Sequence, residues 1–116
     1  CLEGRKSERD IARGAYCLDV HEASGKIVHK HVAGGESYGV PYGCLVPKEV
    51  DGILVAGRSV SSERYANGSV RVQAHIMAIG QAAGTAAALC AAKGWTPREV
   101  PVADLRVALV RQGAVV

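Results

Sequence analysis

Asp19 and His21 are two residues apart in Ala15–His21, a stretch that reads as a strand. The period of two puts both side chains on one face. A carboxylate beside an imidazole is an acid/base pair if a substrate lies within reach, and an ordinary surface pair on a hairpin if none does. Arg58, Arg64 and Arg71 follow within one loop and helix start. Fixed guanidinium groups of this kind suit an anionic substrate or a charged cofactor, or they are solvated loop residues. Arg71 stands out, because a cation at a helix start opposes the dipole. Val72 and Gln73 open a long helix, whose first N–H groups suit an anion or a carbonyl oxygen gaining negative charge. Gly57, followed by Arg58 and Ser59, closes a short apolar run and leaves room for a ligand against the backbone.

Other chemistries fail on spacing. His21-Glu22 lacks the second His of a zinc helix motif. His29 and His31 share a strand face but supply too few ligands for a metal, so no metal site is expected. Ser61 and Ser62 have no triad partners at recognisable positions. Cys1, Cys17, Cys44 and Cys90 form no C-x-x-C pair, and nothing in the sequence resembles a signal peptide, so reduced thiols in a cytoplasmic setting are expected.

The elements that position these residues follow from the pattern. Cys1–Ala12 is polar and reads as a loop or helix end. Ala15–His21 and Lys26–Val32 flank a Glu22–Gly25 turn and predict a β-hairpin. Tyr38–Pro47 is extended, with turns at its prolines. Ile53–Ala56 is fully apolar, as in a buried strand of a parallel sheet. Ser59–Ser69 reads as a polar loop. A long helix runs from about Val72 to Lys93 and stops at Gly94. Thr96-Pro97-Arg98-Glu99 has the form of a helix start, and Ala103–Gln112 is a last amphipathic helix. The fold class expected is α/β, or α+β for the piece taken alone. Residues 1–50 form one part and residues 51–116 the other.

Composition narrows the role. The chain has 116 residues, 14 Gly and no Phe, so its core is built from small side chains with little apolar area each. That suggests a piece of a larger fold. A net charge of +3 without a basic cluster argues against a nucleic-acid binder. Ala74–Ala92 carries no Lys, Arg, Asp or Glu, but it is mostly Ala and Gly and holds His75, Gln81 and Thr85. A buried helix is expected there rather than a membrane span.

Several motifs in order carry a resemblance. Gly52-Ile-Leu-Val-Ala-Gly-Arg-Ser-Val-Ser61, Ser69-Val-Arg-Val-Gln73 and Gly80-Gln-Ala-Ala-Gly-Thr-Ala-Ala87 resemble the C-terminal part of the FAD-dependent oxidoreductase family. These are flavoproteins with the two-dinucleotide-binding-domain fold, related to fumarate reductase and succinate dehydrogenase. Arg13–His21, Val40–Lys48 and the Thr96–Arg106 tail agree with it. The resemblance implies FAD as cofactor and hydride transfer between a small organic substrate and flavin N5. It implies cofactor contacts at Gly57, Arg58, Ser59, Arg71, Val72 and Gln73. Asp19, His21 and Arg58 are the candidate catalytic residues, and Gly80, Ala83 and Gly84 a packing stripe against a sheet. The family's G-x-G-x-x-G, which holds the FAD pyrophosphate, is missing. The expected partner is therefore an N-terminal part of the same enzyme. No nucleic acid or membrane partner is expected, and a homo-oligomer is open. The alternative is a non-catalytic α+β interaction module that self-associates through its Ala/Gly-rich helix.

Overall fold

A computed structural model describes residues 1–116. Its strands are β1 (Asp10–Gly14), β2 (Leu18–His21), β3 (Ile27–Lys30) and β4 (Tyr38–Pro41). Its helices are α1 (Arg64–Val70), α2 (Gln73–Lys93) and α3 (Val102–Arg111). The strands pair antiparallel in two separate two-stranded sheets, β1 with β4 and β2 with β3. This is an α+β arrangement.

The predicted hairpin is present, with Asp19 opposite His29 and His21 opposite Ile27. Residues 1–9 form no helix or strand, as expected, but Asp10–Ala12 at the end of that stretch enter β1 and pair with β4. Nothing alternates in Asp-Ile-Ala-Arg-Gly, because the strand is covered on both sides: four of its five residues are buried, against β4 and the helices. Asp10 is buried there as a carboxylate, accepting from Ser7 Oγ at 2.8 Å and Arg13 Nη1 at 3.2 Å. Arg106 Nη1 donates to the Asp10 carbonyl, tying α3 to the same strand.

Helix α2 begins and ends as its sequence predicts. Gly94 takes φ +70°, a left-handed cap open to glycine at no steric cost, and its N–H donates to Cys90 O. The Ile79, Ala82, Ala83 and Ala86 side chains enter the core with Ile11, Tyr38, Leu45, Leu105 and Leu109. The helix is long and apolar enough to cross a membrane by length and composition, yet this face packs on protein.

Three expectations are corrected. Ile53–Ala56 is extended but forms no strand. Only Val55 N–H finds a backbone partner, Leu45 O at 2.8 Å, and Ile53 is 48% exposed. An apolar run becomes a buried parallel strand only when it ladders with a neighbouring strand, and here it makes a single backbone hydrogen bond. Ser59–Ser69 is not all loop, since α1 forms within it. Asn67, Gly68 and Ser69 are poor helix formers, and burial of Gly68, Ser69 and Val70 overrides their propensity. Thr96–Glu99 is a turn rather than a helix. Glu99 accepts the Thr96 N–H at 2.8 Å and hydroxyl at 2.9 Å, which holds its carboxyl below the usual range. Pro101 disfavours helical Val100, so α3 starts only at Val102.

Tyr42 joins this turn to the core. Its hydroxyl donates to Pro97 O at 2.8 Å, and burial pushes the phenol up to about 12. Tyr42→Phe leaves that buried carbonyl without its donor and is expected to cost about 1–3 kcal/mol, read from a urea midpoint.

Candidate functional site

The site is built where α1 gives way to α2. Arg71 caps the C-terminus of α1, two residues before α2 begins. A cation is favourable at that end, so the conflict with the α2 dipole is relieved one helix earlier. Its Nη2 lies 3.4 Å from Asp19 Oδ2, and its carbonyl accepts from Arg58 Nε at 3.3 Å. Arg71 thus joins the hairpin, the Gly57–Ser59 turn and the start of α2. Val72 is the N-cap of α2 and offers no side-chain acceptor. The first amides of the helix, at Gln73 and Ala74, carry no cap.

Gly57 has φ +78°, and a Cβ built on it meets nothing within 4 Å. Ser59 and Arg58 are exposed beside it. All the residues expected from the sequence, Asp19, His21, Gly57, Arg58, Ser59, Arg71, Val72 and Gln73, therefore fall in one continuous chain of contacts and neighbours. The largest cleft, about 820 Å³, is lined by residues such as Tyr42, Cys44, Val55 and Arg98 and includes Ser59 alone of this set.

The hairpin end holds more charge than the Asp19–His21 pair. Asp19 Oδ1 is 3.0 Å from His29 Nε2 and 3.6 Å from His21 Nε2, and the Asp19 side chain is 18% exposed. Oδ1 is enclosed yet has no aligned hydrogen-bond donor. The close approach to His29 is an ion-pair distance without hydrogen-bond geometry. Arg64 Nη2 donates to His21 O at 3.2 Å, from the first turn of α1. Gly68 lets α1 come this close, since a Cβ there would sit 2.7 Å from Val20 Cγ2 and 2.8 Å from Asp19 O.

The sequence pattern places His29 on a half-exposed strand face, and its partnership with Asp19 emerges only in the folded hairpin. The signal was present in the cross-strand register, which a turn centred on Glu22–Gly25 fixes. His75 is a second such residue. Its Nε2 accepts from Ala15 N–H at 3.1 Å and its Nδ1 donates to Ser69 O at 3.1 Å. The Ser69 hydroxyl donates to Tyr16 O, and Tyr38 O–H donates to Ser69 Oγ, both at 2.6 Å. This network pins the first turn of α2 behind the site.

Burial lowers the His75 pKa, with the Ser69 carbonyl opposing more weakly. A depressed folded pKa gives stability that is fully present above the unfolded value of 6.5 and is lost as pH falls toward the folded value. The thermal midpoint is expected to drop below pH 6.5, and to drop less in His75→Gln.

Two uncapped amides, a glycine that leaves its own surface open, and neighbouring guanidinium groups suit the flat, electron-accepting end of a flavin. No G-x-G-x-x-G is present for its pyrophosphate end. The family model for FAD dependent oxidoreductase matches residues 1–109. The chain belongs to that family, and FAD is its cofactor. Neither a curated protein nor a solved structure matches it.

Proposed function

We propose that the chain is the C-terminal part of an FAD-dependent oxidoreductase of the fumarate reductase and succinate dehydrogenase type. Residues 1–50 would end its substrate region and residues 51–116 its FAD-binding domain. FAD, when bound, supplies the hydride donor or acceptor at N5. The residues of this chain hold and charge its surroundings. The Gln73 and Ala74 amides and the positive end of α2 stabilise negative charge. Gly57, Arg58 and Ser59 form the surface beside it, and Arg71 fixes their position relative to the hairpin. Asp19 lies against His21 Nε2 and orients the ring, leaving Nδ1 to give or take a proton on a small organic substrate.

The observation that carries this reading is the double engagement of Arg71, at Asp19 and, through its carbonyl, at Arg58. It ties an acid/base pair to the open Gly57–Ser59 turn through one short segment. Two further features support a larger sheet. Ile53–Ala56 is an apolar segment that forms no strand here and whose one backbone partner is Leu45 O, and an open groove of about 550 Å³ lies between Leu54 and the Gly84, Ala87 and Trp95 side of the long helix. Ala83 packs in the present core, while Gly80 and Gly84 face outward with nothing within 4 Å. In this reading the rest of the enzyme covers them.

The open Gly80 and Gly84 also favour a second reading, a module that pairs with its own copy through α2. Protein from the complete reading frame separates the two. The first reading expects bound FAD and a cytoplasmic, membrane-free enzyme. Flavin-free protein that dimerises through α2 would support the second.

A further inference from the structure

Cys17 lies two residues before Asp19, on the hairpin face that carries His29. Its Sγ is 3.8 Å from His29 Nδ1. The other nitrogen of that ring, Nε2, is 3.0 Å from Asp19 Oδ1. The order thiol, imidazole, carboxylate is that of an activated nucleophile: a base within reach of the thiol, and a third group that orients the base. We propose that Cys17, His29 and Asp19 form such an array, and that Cys17 is a reactive thiol toward soft electrophiles such as small disulfides and alkylating carbon centres.

The geometry assigns each role. The carboxylate oxygen 3.0 Å from Nε2 is not aligned as an acceptor, but its charge favours the tautomer with the proton on Nε2, which leaves the Nδ1 lone pair facing Sγ. Arg71 holds the same carboxylate from Oδ2, so it does not swing away. Enclosed Oδ1 lacks an aligned donor, and positive charge on the His29 ring relieves it. That charge appears when Nδ1 takes the thiol proton.

With a disulfide the step balances. The Cys17 thiolate attacks one sulfur, a new S–S bond forms to Cys17, and the old S–S bond breaks. The departing half leaves as a thiolate and collects the proton held at His29 Nδ1. Cys17 is oxidised by the half that is reduced.

The other thiols lack this setting. Cys44 is half-buried, and burial, helped by the Asp10 charge, pushes its thiol up. Cys90 lies partly buried on the core, and Cys1 is exposed, so Cys1 serves as the internal reference.

The test is site-resolved alkylation. The whole protein is treated briefly with iodoacetamide at neutral pH, and each cysteine is quantified by peptide mass spectrometry. Cys17 is expected to react about tenfold faster than Cys1. His29→Ala, on an exposed strand edge, is expected to bring Cys17 down to the Cys1 rate, and free imidazole to restore it. Asp19→Asn is expected to slow Cys17 partially, and glutathione disulfide to form its mixed disulfide at Cys17 first. Unchanged Cys1 and Cys44 rates in the variants report an intact fold. Equal rates at Cys17 and Cys1 would overturn the proposal, as would a His29→Ala protein that reacts like the wild type or gains nothing from imidazole.

Discussion

Gly57→Val in the flavin-loaded protein is expected to lower bound flavin by at least about tenfold, close to 1.4 kcal/mol in affinity. Two effects act in the same direction. A β-branched residue resists φ +78°, so the turn shifts. Its side chain also projects into the space that the bare glycine leaves open. Gly25→Val separates these effects. Gly25 has φ +82°, is equally open and sits at the hairpin turn. It carries the backbone strain without the position. Flavin content measured from the visible absorbance per protein is expected to fall for Gly57→Val and to hold for Gly25→Val. Equal losses in both would assign the effect to strain alone and remove Gly57 from the cofactor surface.

Gly39→Ala is expected to be the most destabilising single methyl group in the chain. Gly39 pairs with Arg13 across the β1–β4 sheet, and a Cβ there lands on the Asp10 carboxylate. That carboxylate is 3% exposed at the residue level and is held by Ser7 and Arg13. It cannot move without leaving a buried charge unpaired. Breaking such a pairing costs roughly 3–5 kcal/mol, a large part of the stability of an ordinary domain. Urea unfolding of Gly39→Ala beside Gly43→Ala, whose Cβ meets nothing, measures the difference. A shift below about 1 kcal/mol would show that the carboxylate relaxes freely.

Gly39 also shows what the sequence hides. The pairing of residues 10–14 with 38–41 spans some distance along the chain; β1 does not alternate, because it is covered on both faces, and β4 alternates over only four residues, two of them Gly39 and Pro41. The elements legible beforehand are those with local causes. Gly94 stops α2, the turn at Glu22–Gly25 makes the hairpin, and Leu105 and Leu109 set the buried face of α3. Helix α1 has no such signal, because its Gly68 is there for contact with Val20 rather than for helix propensity. Ile53–Ala56 carries a strand signal that this chain alone does not satisfy.

The site was legible in the same divided way. The small-residue strand end and the helix start mark Gly57–Ser59 and Arg71–Gln73 in sequence, and the Arg58–Arg71 hydrogen bond brings the two segments together. His29 needed the register of a folded hairpin before it could be placed beside Asp19. The role of Arg71 changed most. Its charge closes α1 and anchors the hairpin, which a reading of α2 alone could not reveal.

The central claim is that the Gly57–Ser59 turn and the first amides of α2 lie against the flavin. Amide hydrogen exchange in the flavin-loaded protein, with FAD bound and after its removal, tests this directly. The account predicts that Gln73, Ala74 and the Gly57–Ser59 amides gain protection when FAD is present, while the outer hairpin turn at Glu22–Gly25 does not change. Protection confined to other segments, with these amides exchanging equally fast in both states, would contradict it.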